Sequence, residues 1–483
     1  MGIASSENVL RILTGYNHWW QLGSVQVEYL KPVRRTVCKE AMKILNAVGK
    51  KRSLCIVGPR RTGKTTILHQ LINNLIIEGN DPRKIVYMNV GHPFFSTVAL
   101  DEILSIYFEN IHLGTDAAER SERVYFFFDD IQLSPDWEEN MTRLTGVYPN
   151  VMIVASGTVI PSGQYTEKGP TLLHLPPMSF YEYCQVSVKA ENLAPAFIIP
   201  EKGVVRADPQ ELRALARAIS PFRKQFGRYM YTGGFPKLVM EENNVRVQSM
   251  IQEAVINETL LSDIPAGFNI RGGTEFRKLF LYLCLNCPGI ISYDATAKAL
   301  DCLTRLTVEK YTGYIERASL IYLSNPADMG GKANQKIQPK IYLADAAMFN
   351  AMMILDDLQI SPEQFRNAVE TTVYRHLRFF GPDSTEAKID YYRERGRGID
   401  MVLSGSKKLF VDVRYSNDVR LSRKDPIVSM ADRADFSLIV TKKDSDFGHI
   451  PGLPENLFLI PAHILLFLIG KAKTEGYSFL SGI

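Results

Sequence analysis

The sequence predicts an α/β fold built on a parallel sheet, and three stretches carry that prediction. Leu54–Val57, Arg123–Asp130 (RVYFFFDD) and Val151–Thr158 (VMIVASGT) are short, near-continuous apolar runs, the pattern of strands buried on both faces. Helical apolar spacing lies between them, after Thr65 (TTILHQLINNLI) and again around Leu100 to Asn110. Each run ends in a glycine, carboxylates or small hydroxyls, so the chemistry collects at the carboxyl ends of the strands, where open α/β sheets bind ligands.

The first run stops at Gly58. From there Gly58-Pro59-Arg60-Arg61-Thr62-Gly63-Lys64-Thr65 is a full match to G-x-x-x-x-G-K-[ST], the Walker A motif, in the strand, loop and helix context it requires. The two glycines let the loop turn its backbone N–H groups inward. The positive end of the following helix adds field at the same point, so the loop binds phosphate oxygens. Gly58, Pro59, Arg60, Arg61, Thr62, Gly63, Lys64, Thr65 and Thr66 are the expected nucleotide-binding residues. Lys64 reaches for the β- and γ-phosphates and the Thr65 hydroxyl for the metal, so ATP and Mg2+ are the expected ligands.

Lys84–Val90 (KIVYMNV) reads as the next strand and Arg123–Asp130 as the second half of the site. A buried strand there delivers Asp129 to the metal and Asp130 to the attacking water, which it would orient or deprotonate. Val151–Thr158 ends in small hydroxyls, and Ser156 or Thr158 reads either as a γ-phosphate sensor or as a plain strand-to-loop turn. Leu172–Leu175 is a fifth strand before Pro176-Pro177.

Composition narrows the rest. At 483 residues the length suggests about three domains, and 46% hydrophobic with 22% charged residues is ordinary for a soluble globular chain. The 56 Lys+Arg against 52 Asp+Glu leave +4, too little to argue nucleic-acid binding from net charge, so any basic patch is local. Six cysteines are scattered, two of them inside apolar runs, which fits reduced thiols in a cytoplasmic protein. Cys284-Leu285-Asn286-Cys287 has metal or redox spacing without a second pair or a histidine cluster, so burial is the expectation. No apolar stretch reaches membrane-spanning length, and MGIASSENVLRILTG lacks a signal-peptide core; a membrane is not an expected partner. The paired Trp19 and Trp20 read as packing anchors.

In chain order, Asn17-His18-Trp19-Trp20, GPRRTGKTT, FFFDDIQ with Trp137-Glu138 close behind, VASGT, LPPMSFYEY (175–183) and YTGGFP (231–236) resemble a large bacterial and archaeal family of AAA-type P-loop ATPases. The resemblance implies a core whose sensor strand lies between the loop strand and the acidic strand. It also implies a helical lid, a winged helix and a C-terminal domain similar to restriction endonucleases. The expected boundaries are a lead-in at 1–30, the ATPase core at 31–185, the lid at 186–275, the winged helix at 276–340 and the nuclease-like domain at 341–483. Two positions depart from the family. Asp130 stands where relatives carry glutamate, one methylene longer, and Lys168-Gly169 stands where relatives carry an arginine, so no arginine finger is assigned.

Phe276–Leu285, Ala295–Leu303, Leu306–Ile315 and then LIYLS give the helix, helix, helix and wing-strand order of a winged helix. If it reads DNA, Thr304, Arg305, Thr307, Glu309, Lys310 and Thr312 face the major groove; the other reading is packing between domains. Lys340–Ala344 with Asp345 is expected to begin the last domain, followed by a helix at Pro362–Phe379 and strands at Ile389–Arg393, Gly398–Leu403 and Leu409–Arg414. Asp400 with Asp412-Val413-Arg414 resembles the nuclease pattern D…(D/E)-x-K, and Glu370 matches a helix glutamate that some such nucleases add. Asp400 and Asp412 would hold Mg2+, with Glu370, Asp412 and Arg414 in catalytic positions. Arginine stays protonated and cannot act as the base, so DNA endonuclease activity and a folded, inactive domain are both open.

The expected function is an ATP-binding, ATP-hydrolysing protein that couples nucleotide state to a winged helix and a nuclease-like domain on DNA, in DNA processing or anti-phage defence. The alternative is an ATP-dependent signalling or assembly switch, as a homo-oligomer or with a partner protein, in which the nuclease-like fold is an interaction surface.

Overall fold

The structure, a computed structural model, describes residues 5–47, 52–95, 98–112, 122–159, 169–190, 193, 203–270, 273–301, 303–327, 338–353, 361–381, 388–394, 396–405 and 407–476. Lys168 and Cys302 lie outside them. The chain forms two compact units, one of Met1–Pro176, Glu258–Gly272 and Arg317–Ser319, the other of Pro177–Asn257, Gly273–Glu316 and Leu320–Ile483. The stretch expected as a lid is therefore divided between the two.

The first unit is a five-stranded parallel sheet with helices on both faces. Its elements are α1 (Ser6–Tyr16), α2 (Thr36–Asn46), β1 (Ser53–Val57), α3 (Lys64–Ile77), β2 (Ile85–Asn89), α4 (Leu100–Asn110), β3 (Val124–Asp129), α5 (Trp137–Val147), β4 (Val151–Gly157) and β5 (Thr171–His174). The strand order is β2-β3-β4-β1-β5, which puts β4 between the loop strand and the acidic strand. The apolar runs are continuous because alternate residues serve opposite layers. Phe126 and Phe128 pack with Ile103 and Leu104 of α4 and Met141 of α5; Tyr125 and Phe127 pack with Leu68, Leu71 and Ile72 of α3. Trp19 and Trp20 both donate their indole N–H to the Ile85 carbonyl at 2.9 Å, anchoring the lead-in to β2 as packing groups. α2 starts at Thr36, after Pro32. Pro32 disfavours helical backbone at the residue before it, and the Arg35 guanidinium is held by the Thr62 and Pro176 carbonyls.

The second unit begins with α6 (Phe180–Val188), α7 (Pro209–Ile219), α8 (Arg223–Thr232) and α9 (Asn244–Ile251). Ser179 and Glu182 close a capping box at the start of α6. Here the two sequence motifs LPPMSFYEY and YTGGFP meet. The Met178 N–H donates to the Gly234 carbonyl at 2.8 Å, and a Cβ on Gly234 would press on the Met178 backbone. Gly233 has φ 69°, a conformation that favours glycine. These motifs build a joint inside the second unit.

α10 (Thr274–Leu285), β6 (Gly289–Ile290), α11 (Tyr293–Leu300), α12 (Arg305–Arg317), β7 (Ile321–Ser324) and β8 (Lys340–Leu343) follow. β8 pairs antiparallel with both β6 and β7, so the sheet order is β6-β8-β7. Lys340–Leu343 thus closes this small sheet and does not open the last domain. All four residues of β8 are buried, and a buried strand needs ladder partners on both edges. Thr312, expected on a groove face, is fully buried, whereas Thr304, Arg305, Glu309 and Lys310 are exposed. The Cys284 and Cys287 thiols are buried as expected. Burial pushes Cys287 up to about 12, and its sulfur accepts the Leu343 N–H.

α13 (Ala347–Met353) and α14 (Pro362–Phe380) precede β9 (Lys388–Glu394), β10 (Arg397–Ser404), β11 (Lys408–Val413), β12 (Phe436–Thr441) and β13 (Leu457–Pro461), and α15 (Ala462–Glu475) is the last element among the described residues. The order is β13-β12-β11-β10-β9, with β9, β10 and β11 antiparallel and β11, β12 and β13 parallel.

Candidate functional site

β1 ends at Val57 and the chain turns through the glycine loop into α3. A Cβ on Gly58 would collide with the Leu175 carbonyl oxygen, so glycine is needed for close approach. Arg61 (φ 65°) and Gly63 (φ 101°) hold left-handed backbone that curls the loop back on itself. The Lys64 ammonium is folded onto that curl, donating to the Gly58 and Pro59 carbonyls at 2.9 Å each. The Thr62 hydroxyl donates to the Pro59 carbonyl as well. Burial pulls the Lys64 pKa down, against the charges of Asp130, Asp263 and Asp129.

β3 delivers Asp129 to the same place. The Thr65 hydroxyl donates to Asp129 Oδ2 at 2.6 Å, the Tyr87 hydroxyl donates to the same oxygen at 3.0 Å, and the Ser156 hydroxyl bonds the other. Burial and the neighbouring Asp130 charge push the Asp129 carboxyl up, against those three hydrogen bonds. A hydroxyl and a carboxylate in direct contact at the head of α3 are the donor set that suits Mg2+; Thr65 and Asp129 would hold it, and it would neutralise phosphate charge. Ser156 is committed to Asp129. The Thr158 hydroxyl is fully buried with no hydrogen-bond partner among the described residues, while its N–H donates to Gln132.

Asp130 follows in left-handed backbone (φ 55°), turned back toward Asn89, whose amide lies 3.4 Å from its carboxylate. Its short side chain sets the first expected result. Asp130→Glu lengthens the side chain by one methylene and raises the rate of phosphate release from ATP about tenfold, while Asp130→Asn abolishes it. An unchanged rate in both variants removes Asp130 from the reaction.

Four residues of this site were not singled out in the sequence. Arg60 forms a two-pronged ion pair with Asp263, 2.7 Å at each contact, and Gln132 donates to the same carboxylate at 3.2 Å. Asp263 closes a π-helical turn, Thr259–Asp263, within the first unit. Arg35 and Tyr87 complete the set; only Gln132 lies in a quoted motif, FFFDDIQ, and nothing there marks its contact with Asp263.

Glu370, Asp400, Asp412 and Arg414 line one cavity of about 610 Å3 in the second unit. Met401 pairs with Val411, so Asp400 and Asp412 stand opposite one another on β10 and β11. Arg414 Nε donates to Asp412 Oδ2 at 2.9 Å, and its Nη1 reaches Asp425 at 3.2 Å. Burial and the Asp400 charge push Asp412 up to about 7. Lys340, from β8, lies inside the acid cluster, 2.6 Å from Glu370 Oε1 and 3.0 Å from Asp400 Oδ1. The remaining Asp400 oxygen accepts the Val413 N–H at 2.9 Å. This donor set does not fit a resident divalent ion, because the Lys340 ammonium already stands between Glu370 and Asp400.

Residues 50–184 match the AAA domain family, and residues 223–363 match a domain of unknown function, DUF8612. An uncharacterised protein of Haemophilus influenzae is 23% identical over 405 residues, 80% of this chain and 88% of its own length. One of Methanocaldococcus jannaschii is 23% identical over 368 residues, 74% of each chain. Among solved structures, the Aeropyrum pernix Orc1 protein in complex with DNA is similar at 14% identity, covering 66% of this chain and 91% of its own, with TM-score 0.27. AMPPCP-bound DnaA from Aquifex aeolicus is similar at 20% identity, covering 58% of this chain and 86% of its own, with TM-score 0.22. The AAA match and the loop geometry together define the class: the first unit holds an AAA-type P-loop NTPase domain. No helix among the described residues is long and apolar enough to cross a membrane.

Proposed function

We propose that the protein binds and hydrolyses ATP in its first unit and uses nucleotide state to control DNA contact by its second. The observation that carries the reading is the 2.6 Å bond between Thr65 and Asp129 beside the buried Lys64. Phosphate donors, metal ligands and a candidate water-orienting acid, Asp130, converge there. Thr158, with its hydroxyl uncommitted, is the group we assign to sensing the γ-phosphate.

The order α10, β6, α11, α12, β7, β8 with a three-stranded antiparallel sheet supports reading 274–343 as a winged helix. α12 is then the helix for the major groove, and Arg305 and Lys310 are its exposed cations. The mixed five-stranded sheet with Glu370, Asp400 and Asp412 around one cavity supports the restriction-endonuclease-like reading of the last part. The test is fluorescence anisotropy on duplex DNA with and without ATP and Mg2+. Affinity changes with nucleotide, and Arg305→Ala/Lys310→Ala lowers it at every sequence while reducing the salt slope by about 2. DNA binding that ignores both nucleotide and these residues sinks the reading.

A second reading keeps the ATP switch and makes the nuclease-like fold an interaction surface. It is favoured by Arg414 and Lys340, each tied up with the carboxylates that a cleavage centre would leave for metal.

A further inference from the structure

The geometry points to Lys340 as a built-in counter-ion: its ammonium fills the position between Glu370 and Asp400 that a divalent metal would need, and it fastens the three-stranded sheet to the five-stranded one.

Lys340 begins β8, which belongs to the small sheet, whereas Glu370 lies on α14 and Asp400 on β10 of the other sheet. One side chain therefore bridges three elements far apart in sequence. Its Nζ is 2.6 Å from one carboxylate and 3.0 Å from the other, and the lysine side chain is 11% exposed. A magnesium or manganese ion bound to the same two oxygens would lie about 2.1 Å from each, which is the space that the ammonium occupies. The two cations exclude one another. The tie also supplies charge, one ammonium shared by two carboxylates. Burying Glu370 and Asp400 without a partner would be costly, and each receives a charge-assisted donor plus a second donor, the Tyr342 hydroxyl at 3.3 Å for Glu370 and the Val413 N–H for Asp400. Arg414 does the same for Asp412 from the other side of the cavity. In this cluster each of the three acids has a cationic donor in contact, Lys340 being shared by two of them. Lysine rather than arginine suits it, because a compact ammonium fits between two carboxylates that a planar fork would force apart.

This inference concerns the second unit alone and does not depend on hydrolysis in the first. The experiment counts Mn2+ bound by the nucleotide-free protein, using the paramagnetic signal of free Mn2+. Wild type and Asp400→Asn bind the same number of ions, because no metal sits at Asp400. Lys340→Met binds one more than wild type, and Lys340→Met/Asp400→Asn loses it again. Asp400→Asn binding one ion fewer than wild type overturns the proposal, and so does a folded Lys340→Met with no added ion. Should Lys340→Met fail to fold, the wild-type comparison with Asp400→Asn, repeated with Glu370→Gln, decides alone. The subtraction removes any ion held at Thr65 and Asp129, so a failure of the ATP reading leaves the count unaffected.

Discussion

Lys64→Ala loses ATP binding, with affinity for ATP in the presence of Mg2+ falling about 100-fold or more. The lysine ammonium is buried at the head of the glycine loop, and it stands within reach of where the loop N–H groups would hold phosphate. A charge-assisted hydrogen bond contributes about 1.5–3 kcal/mol, and a β/γ-phosphate pair takes more than one. A second effect adds to the loss. In the present arrangement Lys64 braces the loop by donating to the Gly58 and Pro59 carbonyls, so alanine also frees two acceptors inside the curl. Lys64→Arg does not rescue, because a planar fork cannot enter a curl built around a compact ammonium. Titration with ATP by calorimetry measures the loss, and an unchanged far-UV circular dichroism spectrum separates it from unfolding. Binding within threefold of wild type in Lys64→Ala ends the ATP reading.

That this site was legible in the sequence, and the other features less so, follows from how far apart their parts lie. The glycine loop is local chemistry: eight consecutive residues specify a turn, a cradle and a cation. Asp129 was legible because a strand buried on both faces needs an apolar run, and the run ends where the ligand sits. Arg60 reaches across 203 residues to Asp263, and a lone aspartate in a helical stretch carries no mark of that destination. Lys340 is the same case: it spans 60 residues to Asp400, and its charge on an otherwise apolar strand gave the one hint available. Lys340–Ala344 was read as the start of the last domain and not as part of the small sheet, because strand propensity cannot tell which neighbour supplies the ladder. Thr312 shows the limit of helical spacing used without a partner surface, since three- and four-residue steps define a face but not which side of the helix is covered. The motifs LPPMSFYEY and YTGGFP were legible as family marks while their role was not. The two segments meet through a backbone hydrogen bond, Met178 N–H to the Gly234 carbonyl, and through side chains that come from far along the chain.

That same joint gives the largest expected stability effect. Arg375, on α14, is fully buried and forms an ion pair with Asp345. It also donates to the Met178 carbonyl and bonds the Tyr229 hydroxyl, while Asp345 accepts the N–H groups of Gly234 and Ala347 at 2.9 Å each. Arg375→Met keeps the length and most of the packing but leaves Asp345 as a buried carboxylate without its cation and the Tyr229 oxygen without its donor, while the Met178 carbonyl keeps the Tyr229 hydroxyl at 2.6 Å. Removing one partner of a buried pair costs about 3–5 kcal/mol, a large share of the roughly 5–15 kcal/mol by which a domain is stable. For a unit of this size the thermal midpoint falls by about 10 °C, followed by circular dichroism. The double variant Arg375→Met/Asp345→Leu tells charge from shape. If the loss is the stranded carboxylate, removing it as well recovers most of the midpoint, because apolar replacements of a buried pair are often near neutral. If the double variant is as unstable as the single one, the cost lies in the Met178 and Gly234 backbone contacts, and the pair is a spectator of the packing around it.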